Sequence, residues 1–458
     1  PPPPPPPPKF TGLGKEELLK AAGTPPWVKA RTFLLLLFWG GWVGMLGGAA
    51  AIVARAPRCR PLPPQSWWQL GGLYRAPPKA FGEDLRGVSE RLEHVAGLQM
   101  KGLVLGPLYP QIEGGPQNLS LEELDPNLGT PQDFTHLLQA AKKKGLEVIV
   151  ELTPNPQEQQ PWGGAARDPQ FLERVKRALS VWLERGVSGI FLDGIEELEP
   201  SLLAEWRNLT EQSSPSSTPR VLLGGTRLRA PPALLELLNG SRGGALGGPV
   251  LGPYLEVLGD PPGPDLAPQL LKLLHPGTPL GWSVGSPWRH LSTLSPPLAP
   301  QRLLLLWTLP GTPVLSYGDE LGLGDPHPTE LTPMPWDLVE RIREGDNSSQ
   351  AQLLSLCRLL GSLRVRERSL ALGELEPIPA SAPAAAFLRS WDQSDRFLVI
   401  LNPQNSPLLP TLRDPNIPPR VTLRLSTHRP LPPDPQVDLG SLELLPYEGV
   451  LLSFPYTP

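Results

Sequence analysis

From Thr32 to Ala54 the chain runs for 23 residues without a charge, with FLLLLFWGGWVGMLGGAAAIV at its centre and no polar face at helical spacing. As a helix this stretch reaches ~34 Å at 1.5 Å per residue, enough to cross a bilayer. It starts too far into the chain, and Arg55 with Arg58 make too poor a cleavage site, for a signal peptide, so residues 32–54 read as an uncleaved transmembrane anchor. Before it, residues 1–31 open with the run Pro1 to Pro8 and show no apolar periodicity, which predicts a disordered tail. A Pro-rich stalk, residues 55–66, follows the span. Beyond it short apolar runs alternate with amphipathic stretches: GLVLGPLYP at Gly102, VIVELTP at Val148, GIFLDGI at Gly189 and VLLGGT at Val221. The segments FTHLLQAAKKKG and FLERVKRALSVWLERG, which precede the second and third of these, repeat their apolar positions at period 3.6. Strand and helix in alternation over about 300 residues predict an α/β fold whose parallel sheet closes into a (β/α)8 TIM-type barrel, here residues 67–368.

Charge changes this picture little. The net charge of -4 is spread along the chain without a basic block, so no nucleic-acid partner is implied. Sequons change it more. Asn118-Leu-Ser, Asn208-Leu-Thr, Asn239-Gly-Ser and Asn347-Ser-Ser all lie C-terminal to the span, which places the large domain on the lumenal or extracellular side and the N-terminus in the cytosol. Within the span Gly40, Gly44 and Gly48 recur every four residues and would form a smooth stripe for close approach of another membrane helix. Of the two cysteines, Cys357 sits in the apolar helical pattern LLSLCRLLGSL and reads as a core thiol. That leaves Cys59 unpaired, within ~17 Å of the bilayer surface even on a fully extended chain. An odd cysteine in an oxidising compartment points to an intermolecular bond, with another membrane protein near the same surface.

Several segments are more specific than their periodicity. SWWQLGGLYR from Ser66, LEHVAGLQMKGLVLGPLYP from Leu92, DPNLGTPQDFTHLLQAAKKKGLEVIVELTPN from Asp125 and LLLLWTLPGTPVLSYGDELGLGDP from Leu303 resemble the barrel of the α-amylase and α-glucosidase enzymes. SDRFLVILNPQ and LLPYEGVLLSFP resemble the antiparallel β-sandwich that follows the barrel in that family, which implies such a domain over residues 369–458. Enzymes of this kind need two carboxylates flanking the sugar bond. The resemblance places their counterparts as follows. After the second conserved strand the family has an Asp and then Asn-His, where this chain has Glu151, Asn155 and Pro156. The nucleophile motif Gly-x-Arg-x-Asp reads Gly189, Ile190, Phe191, Leu192, Asp193, so Asp193 is kept and its orienting cation is replaced by Phe191. Gly225 stands where the family has the proton-donating Glu, and no Asp occurs from Ala267 to Tyr317, where the last catalytic motif would fall. Asp193 is then a carboxylate beside an apolar ring, without a cation. No catalytic residue, metal or cofactor is expected.

A single span, an inactive amylase-like outer domain and a lone juxtamembrane cysteine resemble the heavy chains of the heteromeric amino-acid transporters, in the form that lacks an inserted domain after the second conserved strand. The resemblance implies a disulfide from Cys59 to a multi-span light chain that carries the amino acids, with this subunit bringing the pair to the plasma membrane as a single-pass type II glycoprotein. Association with integrins is a further family property, and membrane lipid surrounds the span. A membrane-anchored α-glucosidase and a carbohydrate-binding or adhesion ectodomain are the alternatives.

Overall fold

The computed structural model describes residues 12–55, 59–110, 119–215, 218–257, 263, 265–274, 279–294, 296–325, 330–430, 432 and 435–457, and divides into two compact units, Pro1–Leu62 and Pro63–Pro458. In the first unit the apolar stretch is one continuous helix. This helix, α2 (Pro25–Arg55), follows a shorter one, α1 (Lys15–Ala22). All of α2's apolar side chains are exposed, as expected of a helix whose surroundings are hydrocarbon. Two expectations need correction. The helix begins at Pro25, before Thr32, because prolines fit the first turn, where amide groups have no intrahelical partner. The tail is also not wholly without structure. The eight residues of α1 carry Glu16 and Glu17 in the first turn and Lys20 in the last, each favourable against the helix dipole, and Gly14 N donates to Glu17 Oε2 at 3.3 Å. Eight residues are too few for apolar periodicity to reveal.

In the second unit eight strands close a parallel barrel in chain order: β1 (Gly72–Ala76), β2 (Met100–Leu105), β3 (Glu147–Glu151), β4 (Gly189–Leu192), β5 (Val221–Gly225), β6 (Val250–Gly252), β7 (Leu280–Ser283) and β8 (Thr312–Ser316). The helices between them start on residues suited to it. Thr130 and Asp133 cap one another ahead of Pro131–Lys143, and Asp168 accepts from Gln170 N at 3.0 Å ahead of Pro169–Glu184. Alternation along each strand sorts side chains in two directions. Leu73, Val104, Ile149, Phe191, Val221, Leu223, Leu251 and Val314 fill the lumen above Trp68, while Tyr74, Leu103, Val148, Val150 and Ile190 pack outward into the larger core.

The C-terminal segment is antiparallel, as expected. Its strands β9 (Glu374–Pro377), β10 (Ala385–Ser390), β11 (Arg396–Leu401), β12 (Arg420–Ser426), β13 (Gln436–Asp438) and β14 (Gly449–Phe454) form one six-stranded sheet in the order β13-β12-β14-β11-β10-β9. One face of it, including Phe387, Phe397, Val399 and Leu451, joins the barrel's outer core. The opposite face, with Leu388, Leu398, Ile400 and Leu452, has its own apolar cluster. Among the described residues the covering layer contains two isolated bridges, Leu408 with Leu444 and Ala380 with Leu412.

Candidate functional site

The carboxyl ends of the strands form the mouth of the barrel, where side chains of this fold meet a ligand. Strand register brings Arg75, Glu151, Phe191, Asp193 and Gly225 together there. Arg75 comes from β1 and points inward two residues after Leu73. Its Nη2 lies 3.3 and 3.5 Å from the two Glu151 oxygens, and its guanidinium sits 4.7 Å from the centroid of the Phe191 ring. Burial pushes the Glu151 carboxyl up, and Arg75 opposes that shift.

Asp193 does not lack a cation, and that expectation is corrected. Arg227, two residues beyond Gly225, donates from Nε at 3.1 Å and Nη2 at 2.9 Å to Asp193 Oδ2. The same guanidinium donates to the Pro156 carbonyl at 2.8 Å and to the Glu158 carbonyl, drawing the turn after β3 over the carboxylate. Gly194 N donates to Asp193 Oδ1 at 3.1 Å, Asp193 N donates to Thr153 Oγ1 at 2.8 Å, and Trp162 Nε1 donates to the Asp193 carbonyl at 2.7 Å. Asp193 is therefore committed to neighbours inside the protein. Glu196, whose carboxyl burial pushes up, accepts from Arg227 N at 3.0 Å and fixes the backbone from which the guanidinium reaches.

Gly225 leaves no room for an acid. A β-carbon at this position would stand 2.4 Å from Asp193 Oδ1 and 2.7 Å from Phe191 Cζ, closer than van der Waals contact allows. The Phe191 ring and the Asp193 carboxylate thus fill the space that a longer side chain at Gly225 would need. Pro156 is buried and contributes a carbonyl to Arg227, and Asn155 is half-buried in the turn, its backbone N donating to the Pro161 carbonyl at 3.2 Å. Of the six positions singled out in the sequence, Glu151, Phe191, Asp193, Gly225 and Pro156 converge on the mouth, and Asn155 lies beside it. Arg227 and Thr153 escaped sequence reading because the partner of each, Asp193, is distant in sequence. Arg75 was within reach, since inward alternation from Leu73 selects it.

Elsewhere, Cys59 is exposed and Cys357 is buried in the helix Ser349–Arg366, where burial pushes its thiol well above the ordinary range. Asn208, Asn239 and Asn347 are exposed, and Asn118 lies outside the described residues. Gly40, Gly44 and Gly48 lie on α2 with nothing within 4 Å of an added β-carbon.

Among the described residues one helix is long and apolar enough to cross a membrane, and later in the chain this barrel and its appended sheet define an amylase-type domain. Its structure aligns with that of an α-amylase from Geobacillus thermoleovorans at a TM-score of 0.64 and 16% identity, over 86% of this chain and 100% of the amylase. Residues 70–162 match the family described as "Alpha amylase, catalytic domain", and residues 6–74 match "Solute carrier family 3 member 2 N-terminus". Amino acid transporter heavy chain SLC3A2 of Rattus norvegicus is 37% identical over 98% of this chain and 90% of its own length, and rat SLC3A1 is 22% identical over 97% and 86%. The chain belongs to the SLC3A2 family of amino acid transporter heavy chains, whose type is the 4F2 cell-surface antigen heavy chain.

Proposed function

We propose that this chain is a non-catalytic heavy subunit, joined through Cys59 to a multi-span light chain that carries the amino acids, and required for that partner's stability and delivery to the plasma membrane. The observation that carries the reading is an exposed thiol four residues past the end of the family's single apolar helix. In this arrangement α2 crosses the membrane with its N-terminus in the cytosol, the Gly40, Gly44 and Gly48 stripe faces the partner's helices, and the barrel with its sequon asparagines stands outside the cell.

The mouth of the barrel supports the non-catalytic half of the proposal. Glycoside cleavage needs an acid within reach of the leaving oxygen and an accessible carboxylate opposite it. Here Gly225 supplies no proton, and Arg227 with the turn after β3 occupies the carboxylate. The six positions Glu151, Asn155, Pro156, Phe191, Asp193 and Gly225 read as remnants of a catalytic site refitted for stability.

Cells lacking their own heavy chain provide the test. Expression of this chain should raise the surface level of a multi-span partner and restore amino-acid uptake, while the purified protein releases no glucose from maltose above the blank. Maltose hydrolysis with no change in uptake would overturn the proposal in favour of an anchored glucosidase, and neither activity would favour the adhesion reading.

A further inference from the structure

Past the closed mouth, the 3-10 turn Asp319–Leu321 after β8 carries two adjacent buried carboxylates. Each ties the turn to a different part of the barrel. Glu320 Oε1 accepts from Tyr74 Oη of β1 at 2.8 Å and lies 2.7 Å from His94 Nε2 of the helix Leu92–Gly97. Asp319 Oδ1 accepts from Leu291 N at 2.8 Å, reaching the segment that follows β7. That segment is held a second time by His290, whose backbone N donates to Asp325 Oδ2 at 2.6 Å and whose Nε2 lies 2.8 Å from the Tyr317 carbonyl. The other Asp319 oxygen, Oδ2, is buried with no hydrogen-bond partner. It faces the loop at Gly285, where an added β-carbon would stand 2.7 Å from it.

A neutral carboxyl costs less in such a place than an ionised one, because an unpaired charged oxygen loses far more hydration than an unpaired neutral one. The groups that bear on Asp319 come from every side: His290 and Asp325 across the loop, Glu320 beside it, Tyr74 from β1, Tyr317 from the end of β8 and Cys357 from the helix Ser349–Arg366. Burial has the largest effect and pushes the Asp319 carboxyl up to about 7, with His290 opposing and both neighbouring carboxylates adding.

We propose that Asp319 is a proton-operated latch: it seats residues 284–291 against the turn after β8 when its carboxyl is neutral, and loosens that part of the barrel rim when it is charged. The sign follows from linkage. In the open loop the carboxyl is hydrated and has its ordinary affinity for protons, so the seated form binds the proton more tightly. Its advantage is full in acid, declines as pH rises through the window between the ordinary carboxylate range and about 7, and is level above that. The rim is then tightest in acidic compartments.

Hydrogen exchange of the full chain in detergent, read by mass spectrometry on peptides covering residues 284–291 and corrected for intrinsic rates, tests the latch. Exchange through local opening should rise on the order of tenfold or more between pH 5 and 7 and flatten beyond, and Asp319→Asn should abolish the slope. A flat wild-type profile, or an equal slope in the variant, would overturn the proposal. Should the variant not fold, the wild-type profile still decides: a slope confined to 284–291 supports the latch, and a slope shared with the helix Pro131–Lys143 contradicts it.

Discussion

Gly225→Glu leaves the protein without measurable maltose hydrolysis and lowers its unfolding free energy by about 3 kcal/mol or more, from overpacking and from a further buried carboxylate. The steric part is set by the β-carbon alone, which would meet Asp193 Oδ1 at 2.4 Å and Phe191 Cζ at 2.7 Å. Both neighbours are fixed. Asp193 is held by Arg227, and Phe191 lies under Arg75 in a fully buried lumen. The electrostatic part adds to it, because Glu151 and Asp193 already stand at the mouth and a third carboxylate there gains no new cation. Gly225→Ala separates the two, retaining the steric cost and removing the charge. Chemical unfolding of wild type and both variants, with a maltose assay on each, checks the expectation. Wild-type stability in Gly225→Glu would show that the mouth is looser than its geometry implies.

Arg389→Met should cost about 4 kcal/mol, because it strands several buried carbonyls at about 1–3 kcal/mol each. Arg389 lies on β10, fully buried, and donates to the Thr308 carbonyl, to Leu370 O at 3.1 Å and to Gly373 O at 2.6 Å. Beside it Arg364 donates to Trp307 O and Leu309 O, each at 2.8 Å, and to Gly311 O. Together the two guanidiniums cap the carboxyl end of the helix Ala299–Thr308, where the dipole is negative and the last carbonyls have no intrahelical donor. Burial pushes Arg364 down to about 10 and Arg389 well below the usual arginine range, a sign of how much hydration these carbonyls replace. No carboxylate can be deleted along with the cation, since the partners are backbone. Arg389→Lys should recover only part of the loss, as a single ammonium does not span the three acceptors. Equilibrium unfolding of the three proteins decides, and a Met variant within 1 kcal/mol of wild type would refute the capping role.

Much of the architecture was legible because the physics that builds it is local. The uncharged run from Thr32 read as a span and lies within one continuous exposed helix, Pro25–Arg55. The four apolar runs at Gly102, Val148, Gly189 and Val221 became strands β2 to β5, since a buried parallel strand is apolar on both faces. The site was legible only in part. Gly225 and Phe191, where the resemblance leads one to expect an acid and a cation, could be read position by position. The compensation by Arg227 could not, because its partners at Asp193, Pro156 and Glu158 are 34 to 71 residues away in sequence. Helix α1 was missed for the opposite reason: its support comes from end charges, not from an apolar stripe.

The covalent link is the claim on which the functional account turns. The measurement is to isolate the chain from native membranes after blocking free thiols, resolve it on a nonreducing gel, and identify the peptide bonded to Cys59 by mass spectrometry. The account predicts a heavier species that collapses with reductant, is absent in Cys59→Ser, and joins Cys59 to a cysteine of a multi-span transporter. A blocked, unbonded Cys59 in a monomeric band, or a bond to a second copy of this chain, would contradict it.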